Sequence, residues 1–164
     1  EFDGRSFLPV LLGKTREHKQ YAYSIQTTVG VNGVIQPYGI RSVVNQRFRY
    51  ILNLFPENEF SIPVSRNLRS AVTDLGQSEQ DFANRYLKRP REELFDISKD
   101  PYCQQNLAGD PAFHTQQESL RRALQHWMTS QHDLGRQTEL EAESRHNRWK
   151  SAQLKAEKTR LGKE

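Results

Sequence analysis

The chain has 164 residues, of which 35% are hydrophobic and 27% are charged, and its formal net charge is +4. No apolar run approaches the roughly 20 residues that a membrane-spanning helix needs, so we expect no membrane partner. The single cysteine, Cys103, excludes an internal disulfide framework and a zinc site built from cysteines.

The excess positive charge is concentrated near the end of the chain. Residues 136–164 carry eight Lys or Arg and five Asp or Glu, whereas residues 1–135 carry sixteen and fifteen. A nearly neutral first part does not support a basic face for nucleic acid, so we expect no nucleic-acid partner. We predict two segments: a folded domain at 1–135 and a basic, polar tail at 136–164 that is helical or disordered.

The first part of the chain predicts a short helix and three strands. Residues 5–13 are predicted to form a helix or turn, and residues 21–29 alternate apolar and polar side chains, as in a strand with one buried face. A glycine-rich loop at 30–39 follows. Residues 40–45 and 48–55 are separated by two residues, which predicts an antiparallel hairpin.

The middle of the chain predicts one helix and one further strand. Residues 56–74 show weak periodicity and are expected to be irregular. Residues 78–88 read as a helix with Ser78 at its N-cap, and Pro90 stops it. Residues 93–97 are predicted to form a short strand.

The clearest helix is predicted after Asp110, which can cap it, with Pro111 at the first helical position. Its apolar stripe has the three- and four-residue spacing of a helix that lies on a sheet, and consists of Phe113, Leu120, Ala123, Leu124, Trp127 and Met128. A second helix is possible over 137–160, but it has few large apolar residues, so we expect it to be loosely attached.

This order of elements predicts an α+β fold, because there is little room for crossover helices between the strands. We expect a small antiparallel sheet of about four strands packed against a long C-terminal helix, followed by a polar, partly helical tail.

The residues that could bind a ligand lie in the loop at 30–41. Asn32, Tyr38 and Arg41 offer an amide, a phenol and a guanidinium, and the planar fork of arginine suits sulfate or carboxylate. We predict that these three residues bind an anionic sugar. The alternative is that Arg41 pairs with an acidic neighbour and Tyr38 simply packs. The five histidines follow no metal-binding pattern.

Four segments, in the same order along the chain, resemble the C-terminal region of sulfatases. They are DGRSFLPVLLG at 3–13, YGIRSV with RFRYILNL at 38–54, the stretch around EELFDI at 88–111, and the Leu-x-x-Trp and His-Asp pairs at 124–133. Within that family the likeness is to the heparan N-sulfatase (N-sulfoglucosamine sulfohydrolase)-like branch, of bacterial type.

The resemblance implies the C-terminal subdomain of a larger enzyme that hydrolyses sulfate esters or the N-sulfate of sulfated glycans. Its partners would be the upstream catalytic core and a sulfated carbohydrate. The family's calcium ion and formylglycine nucleophile are expected in that core. We therefore expect this chain to contain no cofactor and no metal site. The chain alone is expected to be inactive and to help form the substrate pocket.

Neither candidate for the formylglycine position in this chain fits the family motif C/S-x-P/A-x-R. Cys103 is followed by no proline or arginine, and Ser61 is followed by Pro63 but has Arg66 one place late. The full-length protein is expected to be periplasmic or secreted. Since the first residues lack the basic region and apolar core of a signal peptide, we expect any export signal to lie outside this sequence.

Two other functions remain open. The chain can be a non-enzymatic module that binds sulfated polysaccharide through loop 30–41 and the basic tail, or its helical tail can dock a partner protein. A subdomain that belongs on a larger core is also expected to expose apolar surface.

Overall fold

A computed structural model describes residues 4–27, 36–60 and 67–161. The fold is α+β, as predicted: a four-stranded antiparallel sheet in which each strand pairs with the next along the chain. A single turn of 3-10 helix, Pro111–Phe113, precedes α4. The elements are α1 (Leu8–Leu11), β1 (Ala22–Gln26), β2 (Ile40–Val44), β3 (Phe48–Asn53), α2 (Leu68–Ala71), α3 (Gln77–Leu87), β4 (Glu92–Asp96), α4 (His114–Ser130) and α5 (Arg136–Leu161).

One face of the sheet packs against α4. Side chains alternate across a strand, so the register places Tyr23, Val43, Tyr50 and Leu94 in one row across all four strands. The stripe predicted on α4 supplies Leu120, Leu124 and Met128 to the same core cluster. The aromatic ring of Trp127 stacks on that of Tyr23, with ring centroids 4.8 Å apart, which fixes edge strand β1 to the helix.

The other face of the sheet carries a smaller cluster. Tyr38, Ile40 and Phe60 are buried together, and Ile51 and Tyr86 pack against them. Tyr86 comes from α3, so this helix lies on the side of the sheet opposite α4. Among the described residues, none of the helices combines the length and apolar character needed to cross a bilayer.

Three local features differ from the sequence predictions. Ser78 is not the N-cap of α3: the helix begins at Gln77 after Gly76, and the Ser78 hydroxyl donates to the carboxylate of Glu79. Asp110 caps the 3-10 turn by accepting from the backbone N–H of Ala112, so α4 begins three residues later than predicted. The segment expected to be irregular contains the short helix α2.

An ion pair links the start of β3 to the end of β4. Asp96, at the end of β4, accepts hydrogen bonds from Arg47 at 2.8 and 3.0 Å and from the Ser98 hydroxyl at 2.6 Å. The hydrogen bonds from Arg47, followed by those from Ser98, lower the pKa of Asp96 to about 2. This carboxylate therefore favours the folded chain only while it is ionised.

We predict that the unfolding free energy falls as the pH drops from about 4 to about 2. In this range the unfolded Asp96 takes up a proton before the folded one does, because its folded-state pKa is the lower of the two. Urea unfolding followed by tryptophan fluorescence at several pH values measures this slope. Asp96→Asn should make it shallower, whereas Asp74→Asn, at an exposed position, should not. An unchanged slope in Asp96→Asn would contradict this assignment.

Candidate functional site

The three residues predicted to bind a sugar do not form one site among the described residues. Asn32 lies outside the described residues. Tyr38 is 3% exposed and packs edge-on against Phe60, with ring centroids 5.3 Å apart, and burial raises its pKa to about 12. Arg41 is 1% exposed and points to the opposite side of the sheet. Tyr38 and Arg41 are therefore not brought together, and their substrate-binding role stays a prediction.

The guanidinium of Arg41 lies inside the protein with every nitrogen hydrogen-bonded. Nε and one terminal nitrogen donate to Asp133, the second of these contacts at 3.3 Å, and the same terminal nitrogen donates to Glu139 at 2.8 Å. The other terminal nitrogen donates to the carbonyl oxygens of Gln26 at 3.2 Å and Ile40 at 3.1 Å. Arg41 thus pairs with acidic residues, which is the alternative to sugar binding that the sequence left open. We refer to Arg41, Asp133 and Glu139 as the arginine cluster.

The two carboxylates reach Arg41 because the chain turns sharply between α4 and α5. His132 and Gly135 both have positive φ, at 53° and 63°, which is unusual for a histidine and readily adopted by glycine. Asp133 accepts from the backbone N–H of Gly135 at 2.9 Å, and the N–H of Leu134 donates to the Thr138 hydroxyl at 2.7 Å. The turn thus aims Asp133 and the first turn of α5 at the sheet.

Glu139 also fits closely against the chain that leads into β2. A Cβ atom placed on Gly39 would lie 2.5 Å from Cγ and 2.6 Å from Cδ of Glu139. The carbonyl oxygen of Gly39 accepts from the N–H of Leu54, which holds this backbone in place. Glycine is therefore required at 39 by the approach of a side chain 100 positions further along the chain.

Burial and ion pairing act in opposite directions on these charges. Burial disfavours both charged forms, but the hydrogen bonds between them outweigh it. The pKa of Asp133 is consequently held below its usual value by Arg41 and by the N–H of Gly135, and the pKa of Arg41 is raised by the two carboxylates. Every nitrogen of the Arg41 guanidinium already donates to a partner within the described residues, so the guanidinium offers no open position for a ligand.

Arg136 provides a second attachment for the start of α5. It donates to the carbonyl oxygen of Leu54 at 2.8 Å and to the Glu57 carboxylate at 2.6 Å, and its guanidinium lies 4.2 Å from the centroid of the Phe55 ring. The first turn of α5 is therefore fixed to the sheet. The division of the chain at 135/136 stays a prediction.

An apolar surface is left uncovered on α1. Its large side chains are Phe7, Leu8, Leu11 and Leu12, which are 51%, 56%, 72% and 58% exposed. Four such side chains within six residues are more than the scattered apolar residues of an ordinary surface. Uncovered apolar surface of this kind is what we expected of a subdomain that belongs on a larger core.

Possible metal ligands do not cluster in the parts of the chain that the structure describes. Among residues 4–27, 36–60 and 67–161, no three His, Cys, Asp or Glu side chains lie close enough together to hold a metal ion. Cys103 lies in the turn after β4 with φ of 54°, and burial raises the pKa of its thiol. Its sulfur accepts from Arg49 at 3.5 Å.

Curated proteins similar to this chain are sulfatases. An ulvan-active sulfatase of Formosa agariphila is 33% identical over 135 residues, covering 82% of this chain and 26% of the relative. Human N-sulphoglucosamine sulphohydrolase is 34% identical over 139 residues, covering 79% of this chain and 26% of the relative. The chain thus spans about a quarter of the length of these relatives. No protein-family model matches the chain.

Solved structures with a similar fold come from the same class of enzyme. A protein of Bacteroides thetaiotaomicron assigned as a sulfatase superposes with a TM-score of 0.51, and a 2-O GAG sulfatase with a TM-score of 0.52. Each is 21% identical, and each match covers 80% of this chain and 21% of the other. These likenesses concern the fold.

We predict that Arg41→Met lowers the unfolding free energy by about 3–5 kcal/mol, because it leaves two buried carboxylates without their counter-ion. Adding Asp133→Asn and Glu139→Gln to this variant should restore part of the loss. Chemical unfolding measures both effects, with Arg122→Met as a control at an exposed position on α4. A loss below about 1 kcal/mol for Arg41→Met would show that the cluster contributes little.

Gly39→Ala should destabilise the chain by about 1–3 kcal/mol, because the added methyl group displaces Glu139 from Arg41. Gly4→Ala is the matched control, since a Cβ there meets no atom within 4 Å. Thermal melts of both variants are the measurement. Equal melting temperatures for the two would contradict the close contact between Gly39 and Glu139.

Proposed function

The chain is a homologue of the sulfatases, as its motifs predicted, and on that premise we propose that it forms the smaller, C-terminal part of a larger sulfatase that acts on sulfated glycans. The observation that carries the proposal is the similarity to two sulfatases over about four fifths of this chain but only 26% of either relative. The remaining length of such an enzyme is where we place the chemistry.

The uncovered apolar surface of α1 supports this proposal. More than half of the area of Phe7, Leu8, Leu11 and Leu12 is exposed, and full burial of a large apolar side chain is favourable by about 1.5–3 kcal/mol relative to full exposure. We infer that an upstream catalytic core covers them. On this proposal the formylglycine nucleophile and the calcium ion belong to that core.

We propose that this chain contributes to catalysis by positioning part of the substrate pocket. The arginine cluster fixes the start of β2 and, with it, the end of the loop at 30–41. We propose that this loop forms part of the wall of the substrate pocket in the larger enzyme. In that role Arg41 is a positioning residue, since its guanidinium is committed to Asp133 and Glu139.

The choice of substrate follows from the relatives at the level of class only. One relative is named for ulvan and another for N-sulphoglucosamine, so a sulfated glycan is the class that they share. Sulfatases of this kind that act on extracellular polysaccharide need access to it, so we propose a periplasmic or secreted location for the larger protein.

The proposal predicts that the 164-residue chain alone releases no sulfate from an aryl sulfate or from N-sulfoglucosamine. A longer polypeptide that adds an upstream segment with a C/S-x-P/A-x-R motif should release sulfate from at least one of them. Sulfate release measured by ion chromatography decides the matter. Turnover by the chain alone, or the absence of such a motif from the upstream coding sequence, would overturn the proposal.

A further inference from the structure

A groove of about 450 Å³ lies between α3 and the outer face of β3 and β4. It is on the side of the sheet opposite α4, so it contains no member of the arginine cluster. Ile51 and Phe95 form part of its floor, and Cys103 belongs to the turn that closes one side. A concave site of this volume is in the range usual for small ligands.

The lining of the groove is strongly cationic. Arg85, Lys88 and Arg89 line it, and Glu93 is the one carboxylate among the described lining residues. One carboxylate oxygen of Glu93 accepts a hydrogen bond from the Asn53 amide at 2.8 Å, so this oxygen already has a partner within the protein. The groove therefore attracts anions rather than cations.

The two arginines that line the groove, Arg85 and Arg89, are held differently. The Nε atom of Arg89 donates to the carbonyl oxygen of Tyr86 at 3.0 Å, and its guanidinium lies over the rings of Tyr86 and Phe60, at 4.9 and 4.3 Å from their centroids. Arg85 is exposed and forms no ion pair within the described residues. Arg89 is thus pre-positioned, whereas Arg85 is free to move onto a ligand.

Aromatic side chains accompany the positive charges. Phe82 and Tyr86 lie with ring centroids 6.4 Å apart and ring planes inclined by 29°, and both line the groove. Tyr102 lines it from the turn after β4 and is 82% exposed. An aromatic ring this exposed contributes little to the core, while its flat face is available to a ligand.

We propose that this groove binds a sulfated saccharide chain. A sulfate group accepts two parallel hydrogen bonds from a guanidinium, which Arg85 can supply. Sugar rings present apolar C–H faces that pack flat on aromatic rings, which Tyr102 and Phe82 can supply. The combination of cations with aromatic rings fits a sulfated sugar better than inorganic sulfate or a neutral sugar.

The inference rests on the proposed function, since sulfated glycans are the substrate class proposed there. It adds a second contact that would hold a polymeric substrate beside the enzyme while sulfate groups are removed. A partner protein seated in the same groove is the competing possibility, and the experiment below separates the two.

The test is calorimetric titration of the 164-residue chain with a heparin-derived hexasaccharide and with a sulfated ulvan oligosaccharide. We expect binding of at least one of them, and no measurable binding of the chemically desulfated counterpart. The double variant Arg85→Ala/Tyr102→Ala should bind about tenfold more weakly, from the loss of one charged contact and one ring contact. Arg122→Ala removes the same charge from an exposed position on α4 and should change the affinity less than about twofold.

Circular dichroism melts show whether the variants remain folded. We expect them to, because the side chains of Arg85 and Tyr102 are both exposed. Three results would overturn the proposal. They are an unchanged affinity in the double variant, an equal loss in Arg122→Ala, and no binding of either sulfated probe, the last of which leaves the groove to a partner protein.

Failure of this inference is distinguishable from failure of the proposed function, because binding is measured without hydrolysis. If the longer polypeptide releases sulfate while the double variant binds normally, the sulfatase assignment stands and the groove has another use. If the groove binds sulfated sugar but no longer polypeptide releases sulfate, the chain is a binding module.

Discussion

The fold depends on one buried cation, the guanidinium of Arg41. A charge that is 1% exposed must be neutralised and fully hydrogen-bonded, or it destabilises the protein by several kcal/mol. Its partners come from the end of β1, from β2, from the turn after α4 and from α5. The end of β1, the start of β2 and the segment that joins α4 to α5 are thereby held at one point.

This requirement explains features that otherwise look unrelated. Gly39 leaves room for Glu139, and the positive φ values of His132 and Gly135 bend the chain so that Asp133 faces the sheet. The attachment of α5 through its first turn follows from the same requirement. In contrast, the uncovered side chains of α1 and the groove beside α3 lie outside the cluster and are free for other contacts.

Much of the architecture could be predicted from local patterns. Alternation of apolar residues located β1, β2, β3 and β4 to within a few residues, and the stripe on α4 identified the helix that covers the sheet. These signals succeed because each depends on neighbours within a few positions. Motifs spread along the chain in a fixed order were enough to indicate the sulfatase relationship.

The arginine cluster could be predicted only in part. The sequence raised the possibility that Arg41 pairs with an acidic neighbour, but Asp133 and Glu139 lie 92 and 98 positions away, and no spacing rule connects them. The spacing of Tyr38 and Arg41 offered one usable signal. They are three residues apart, and side chains an odd number of positions apart in an extended strand lie on opposite faces of the sheet. Ser78 was wrong as an N-cap because the extended residue before the helix is Gly76, two positions earlier, and propensity alone does not fix a helix start.

We propose that this chain docks on a larger catalytic core through apolar surface that it cannot bury itself. The decisive measurement is hydroxyl-radical footprinting of Phe7, Leu8 and Leu11 in the 164-residue chain and in the longer polypeptide. We expect strong labelling of these side chains in the chain alone and protection in the longer polypeptide. Equal labelling in both would contradict it.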